Sequence, residues 1–238
     1  MENFKTLFAQ GTRSIKVSLD KKKLNQQSQY WEKNFFSKPA MFGLEPSLAA
    51  RKALKLFKQK NVNNILELGA GLGRDSIFFA KNFLKVKALD YSPSAIKIIN
   101  QKIEKNNLSK FISTNLFDVR KQLPFEDNSL DACYSHMLYC MALSNEELES
   151  LNGEICRVLK PNGINIYTVR HINDGDFKRG IHHGENLYEN EGFIIHFFSK
   201  EKINVLLDGF ENLLIDEFEE GTFPRKLYFV ANKKKLFN

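Results

Sequence analysis

The stretch Asn64-Ile65-Leu66-Glu67-Leu68-Gly69-Ala70-Gly71-Leu72-Gly73-Arg74-Asp75 decides the fold of this 238-residue chain. An apolar run breaks into three alternate glycines and resumes as Ser76-Ile77-Phe78-Phe79-Ala80, which reads as a buried strand, a tight loop and the first turns of a helix. Glycine in such a loop lets the backbone approach a ligand closely, and the free N–H groups at the helix start offer donors to a polar or anionic group. The spacing is not that of the dinucleotide fingerprint, because the third glycine comes one residue early and Arg74 holds the sixth position counted from Gly69. The phosphate-cradling Gly-x-x-x-x-Gly-Lys-Ser/Thr is absent as well.

Further strand-end acids follow in order. Val86-Lys-Ala-Leu-Asp90-Tyr91-Ser92 is an apolar strand closed by a carboxylate, where doubly wound α/β sheets place the acceptor of ribose hydroxyls, with a flat ring next to it for a base. Phe111 to Val119 is a short strand closed by Asp118. Leu123 to Asp131 is a loop that leads into Ala132-Cys-Tyr-Ser135-His136, and Leu159-Lys-Pro-Asn-Gly163 turns into Ile164–Val169.

Glu67-x-Gly69-x-Gly71-x-Gly73 followed by these stations resembles the class I S-adenosylmethionine-dependent methyltransferases. The resemblance implies S-adenosylmethionine as cofactor and a Rossmann-like α/β fold: a seven-stranded, mostly parallel sheet with helices on both faces and an antiparallel last strand. It also implies the cofactor-binding set Glu67, Gly69, Ala70, Gly71, Gly73, Arg74, Asp75, Asp90, Tyr91, Ser92, Asp118, Val119 and Ser135. Within it Asp90 holds the ribose, Asp118 receives the adenine amino group and the Val119 N–H meets a ring nitrogen. Asn115-Leu116-Phe117 stands before Asp118 where the commoner pattern is Gly-Asp-Ala, which puts the register of that loop in question. At the N-terminal side, Tyr30-Trp31 and Phe42–Ser47 are similar, over a shorter span, to the cap of thiopurine and tellurite-resistance methyltransferases, and this gives Tyr30, Trp31 and Phe42 a place on a lid.

The chain divides into a basic arm and helical cap over 1–60, with residues 1–25 as a polar arm and 26–60 as helices over the cofactor site, and a methyltransferase domain over 61–238. Ser92-Pro93 and the capping box Ser144-x-x-Glu147 open two of its helices. Asn212–Phe218 and Lys226–Ala231 are read as a closing hairpin. Residues 170–184, too polar and glycine-rich for a regular element, open a substrate loop that runs over about 170–198. Methyl transfer is a displacement at carbon, so orientation, worth on the order of 7–11 kcal/mol, matters more than a base. A base is optional; candidates are His171, His182, His136 and Tyr139, with Arg170 and His183 as acceptor contacts. His171, Asp174, Asp176 and His182 could gather around a metal, but the spacing does not require it and no metal is expected.

Net charge is +7, yet residues 1–60 carry thirteen Lys/Arg against four Asp/Glu, so the excess is local. With 27 Lys to 8 Arg, the pattern suits a solvated surface better than a nucleic-acid reader. No membrane span or secretory leader is read, and Cys133, Cys140 and Cys156 have no metal or disulfide spacing, so a cytoplasmic protein is expected. The function expected is methylation of a small-molecule acceptor. The alternatives are an RNA or protein methyltransferase that docks through the basic N-terminal quarter, and a non-catalytic protein that binds the cofactor.

Overall fold

The computed structural model describes residues 19–221 and 225–236. Five parallel strands form the centre: β1 (Asn64–Leu68), β2 (Lys85–Asp90), β3 (Ile112–Leu116), β4 (Leu130–His136) and β5 (Leu159–His171). They run in the order β3-β2-β1-β4-β5. β10 (Arg225–Lys234) pairs antiparallel with β5, and β9 (Phe210–Glu220) with β10, completing the seven-stranded sheet.

The switch of strand order between β1 and β4 opens a crevice at the carboxyl edge, where ligands bind in such sheets. One face packs under α2 (Leu48–Gln59), α3 (Arg74–Lys81) and α4 (Pro93–Lys105), through residues such as Phe57, Phe79 and Ile99. The other packs under α5 (Asn145–Val158) and α6 (Lys200–Val205), through Leu151, Ile155 and Ile203. Ser92 and Ser144 cap α4 and α5 through their hydroxyls, and Ser144 with Glu147 completes the capping box.

Residues 170–198, expected as a substrate loop without a regular element over 170–184, are more ordered than that. They contain β6 (Ile181–His182), β7 (Leu187–Asn190) and β8 (Phe193–Phe198), an antiparallel unit joined to β5 by Arg170↔Phe197 and His171↔Phe198 and raising the total to ten strands. Its tight turn is Glu191-Gly192, both with positive φ (51° and 85°), the backbone of a two-residue hairpin turn. A glutamate in that conformation gives the sequence no strong turn signal.

The N-terminal expectation also needs correction. The part of residues 1–25 that falls among the described residues is not a tail: α1 (Lys21–Ser37) starts there, with Asp20 accepting the Lys23 N–H at 3.1 Å. Leu24 is 4% exposed, against Ala142, Leu187 and Ile194. Residues 1–18 lie outside the described residues. Of the two helices in 26–60, α1 lies over the crevice, while α2 belongs to the sheet's flank, packed on α3 and β4.

Candidate functional site

The crevice is a cleft of about 680 Å³ bounded by the loop after β1, the ends of β2, β4 and β5, the two hairpins, and α1. At one end the loop Gly69–Gly73 carries positive φ at each glycine. A side chain at Gly73 would press on Ile99 at 2.8 Å and one at Gly69 on Leu138 at 3.0 Å, so both are fixed by packing. At Gly71 the nearest atoms would be Phe35 and Phe42 at 3.7 and 3.9 Å, ordinary contact distances, and the residue borders the cleft.

Asp90 supports that loop from β2. Its Oδ2 accepts the Gly71 N–H at 2.8 Å and its Oδ1 the Ser92 N–H at 2.9 Å. Each oxygen keeps a lone pair for a further donor. Burial outweighs these bonds and raises the Asp90 pKa to about 6. Glu67 is buried beside it and accepts from Ser76 Oγ at 2.5 Å; burial, with Asp75 and Asp90 close by, pushes its carboxyl well above the usual range. Tyr91, Phe117 and Val119 form an apolar wall past Asp90.

Several expected cofactor contacts are used otherwise. Asp75 touches the cleft, but its carboxylate accepts the Ser47 N–H at 2.8 Å, the Ser47 hydroxyl at 2.7 Å and the Tyr134 hydroxyl at 2.9 Å, tying the start of α2 to β4. Ser92 is fully buried, and its hydroxyl bonds Glu32 and accepts from the Ala95 N–H. Ser135 is enclosed in the sheet, away from the cleft. Asp118 is gripped by Arg120, Nε at 3.0 Å and Nη2 at 2.6 Å; burial alone would raise its pKa, but the guanidinium holds it below the usual range. An adenine amino group would have to compete with that guanidinium. Ala70 and Arg74 border the cleft, with Arg74 over the Phe42 ring at 5.7 Å.

The opposite end differs more from expectation. His171 is 5% exposed, its Nδ1 accepts the Asn173 N–H at 2.7 Å, its ring lies on Tyr228, and burial lowers its pKa. His182 stacks on Tyr188 at 4.6 Å on the β6–β7 ribbon, and His183 Nε2 meets Glu189 at 2.8 Å. None of the three borders the cleft: the polar stretch folds back on itself as a ribbon. Tyr139 is fully buried, stacked on Tyr167 at 4.3 Å, and burial drives its pKa far up. Arg170 does reach the cleft, with Nη2 holding Asp174 and, at 2.7 Å, Asp176, which takes two carboxylates out of any metal set.

His136 remains in the cleft wall, but not as a free base. Thr168 Oγ1 accepts the Met137 N–H at 2.9 Å, which directs its own hydrogen to His136 Nδ1 at 2.9 Å. The Nε2 hydrogen then faces Glu220 at 3.2 Å, so both ring nitrogens are engaged. Glu220 also accepts the Leu48 N–H at 2.9 Å. Burial would raise its pKa, but His136 and that N–H lower it to about 2. At this corner of the cleft, then, His136 has no free lone pair and Glu220 is too acidic for an effective base.

The lid is α1. Trp31 lies 5.0 Å from Phe193 and 6.5 Å from Phe42, and all three border the cleft. Tyr30 stands behind them, its hydroxyl donating to the Glu191 carbonyl at 2.7 Å. Glu32 latches the helix to α4 by accepting from the Ser94 hydroxyl at 2.5 Å and from Ser92. Glu32, Phe193 and Glu220 escape a sequence reading because their partners sit on distant segments and no local motif marks them.

The comparisons agree with this geometry. A family model described as "Methyltransferase domain" matches residues 65–163. Residues of the chain are 41% identical, over 119 positions, to phosphoethanolamine N-methyltransferase 1 of Triticum aestivum, covering 49% of this chain and 23% of that one. Demethylmenaquinone methyltransferase of Tropheryma whipplei is 28% identical over 116 residues, 48% of this chain and 44% of that one. The chain therefore spans well under two thirds of these curated relatives. Among solved structures, 1,6-didemethyltoxoflavin-N1-methyltransferase of Burkholderia thailandensis, crystallised with its acceptor and S-adenosylhomocysteine, superposes with a TM-score of 0.70 at 16% identity, covering 91% of this chain and 90% of that one. The [4+2]-cyclase SpnF superposes at 0.69 with 15% identity. Such likenesses establish the fold.

Proposed function

Because the chain belongs to the class I S-adenosylmethionine-dependent methyltransferases, we propose that it moves a methyl group from that cofactor to a small-molecule acceptor whose attacking atom already carries a free lone pair, an amine above all. The residues present fit the cofactor. Asp90 has acceptor capacity left for two hydroxyls, Gly71 brings backbone to the cleft wall, Tyr91, Phe117 and Val119 offer an apolar slot, and 680 Å³ lies within the range of small-molecule sites. When bound, S-adenosylmethionine supplies an electrophilic methyl carbon on a sulfonium.

The observation that carries the amine reading is the state of the two groups at the corner formed by β4 and β9, where His136 is bonded at both nitrogens and Glu220 is too acidic to take a proton. A hydroxyl or carbon acid must lose a proton to attack, whereas a neutral amine need not. Trp31, Phe42 and Phe193 exclude water and orient the acceptor, and that orientation is where most of the acceleration would arise. The name of the wheat relative, an N-methyltransferase, supports the same class. The RNA and protein alternatives gain nothing from the cleft, which is roofed by α1 and sized for a small molecule.

The test is calorimetric titration with S-adenosylmethionine, followed by methyl transfer to a panel of primary amines, phenols and thiols. Turnover on amines with none on phenols is expected; cofactor binding with turnover on phenols alone would refute the amine assignment.

A further inference from the structure

Glu220 is held more rigidly than a strand-end glutamate needs to be. Its oxygens accept the Leu48 N–H at 2.9 Å and the His136 ring N–H at 3.2 Å, and the side chain is still 20% exposed, on the cleft. His136 is itself locked by Thr168, so a chain of three residues aims one carboxylate. Arg225, opposite Glu220 in the hairpin ladder and also on the cleft, makes no ion pair with it. Trp31, Phe42 and Phe193 also face the cleft, and two of its other lining cations are engaged: Arg170 holds Asp176, and the Arg74 guanidinium lies over the Phe42 ring and helps keep Glu220 ionised. Ring faces and a carboxylate attract the same ligand charge.

We propose that Glu220, oriented by His136, is the specificity-determining residue that holds the acceptor's neutral amine nitrogen and the positive charge it gains on transfer. The proposal rests on the methyltransferase reading above and deepens it. During transfer the nitrogen lone pair forms the new bond to the methyl carbon, the carbon–sulfur bond breaks with its electron pair left on sulfur, and the positive charge passes to nitrogen. A carboxylate fixed beside that nitrogen meets charge as it develops, and the surplus proton of the product leaves to water afterwards. His136 acts through Glu220 and is a positioning residue.

The probe is choline, compared by calorimetry with its neutral isostere 3,3-dimethylbutan-1-ol on the full chain, alongside S-adenosylhomocysteine. Wild type should bind choline at least about tenfold more tightly than the isostere, the scale of one charge-assisted contact. Glu220→Gln should collapse that ratio to about one while holding S-adenosylhomocysteine affinity within about twofold. His136→Phe should reduce the ratio part of the way, which a merely structural role would not do. Choline bound no more tightly than the isostere by wild type, including no binding at all, overturns the proposal without any variant, as does an unchanged ratio in Glu220→Gln. If S-adenosylhomocysteine also fails to bind wild type, the methyltransferase reading falls with it; if it binds, only the Glu220 assignment falls.

Discussion

Replacing Asp90 with asparagine should separate stability from function. Burial raises the Asp90 pKa from 3.8 to about 6, so the folded chain resists ionising this group. The sign follows from linkage. A raised pKa means the folded state holds its proton more tightly, so the contribution to stability is complete below about pH 4 and is lost as the pH rises through about 6. Two pKa units correspond to roughly 3 kcal/mol, of which roughly 2 kcal/mol develops between pH 4 and pH 8. Asparagine keeps the shape and one acceptor oxygen and carries no charge, but one of the N–H groups of Gly71 and Ser92 loses its acceptor, at about 1–3 kcal/mol. The terms nearly cancel at pH 8, whereas at pH 4 only the loss remains. Urea unfolding of both proteins should therefore show the variant gaining roughly 2 kcal/mol on wild type from pH 4 to pH 8. Over the same range S-adenosylmethionine affinity of wild type should rise as Asp90 ionises, and the variant should bind at least about tenfold more weakly at pH 8. A stability difference that stays constant with pH would refute the burial argument, and unchanged cofactor affinity would remove Asp90 from the site.

Other substitutions test the remaining corners. Gly73→Ala should cost about 1–3 kcal/mol in urea unfolding, since the loop takes φ 75° and the added carbon meets Ile99 at 2.8 Å. Gly71→Ala, with nothing nearer than 3.7 Å, should lose cofactor affinity with less overpacking, a contrast that calorimetry and melting together will show. Leu24→Ala should destabilise by about 2–5 kcal/mol, because the residue is buried where the sequence suggests a tail. Glu32→Ala should raise amide exchange across α1 while leaving β1 and β4 protected; equal exchange in both would deny Glu32 its latch on Ser92 and Ser94. His182→Ala should leave cofactor affinity and turnover as in wild type, since the ring lies on Tyr188 outside the cleft; a loss of turnover would return the ribbon to the site.

The half of the site built by local chain was legible in the sequence, and the half built by distant chain was not. Gly69, Gly71, Gly73 and Asp90 sit in a strand–loop–helix unit and the strand beside it, where spacing alone fixes geometry, and so they arrive where the pattern says. Asp118 ends its strand as read, but two residues on stands Arg120, whose fork takes the carboxylate; no strand-end rule weighs such a neighbour. The histidines after β5 mislead for a related reason. Residues 181–198 satisfy their backbone by pairing with each other around Glu191-Gly192, so their side chains are spent on Tyr188, Glu189 and the core instead of facing the cleft. In their place stands Glu220, supplied by β9 and visible as a site residue only once β10, paired with β5, has carried that strand to the edge of the sheet. Its importance comes from the partners that fold with it. A carboxylate ending a hairpin strand is ordinary until His136 and the Leu48 N–H hold it ionised against burial, and at that point it is a fixed negative charge in an aromatic cleft. Cofactor contacts of this kind depend on one short unit of chain and acceptor contacts on the meeting of β4, β9 and α1, so substitutions in β9 and α1 can change the acceptor while the loop after β1 keeps the cofactor in place.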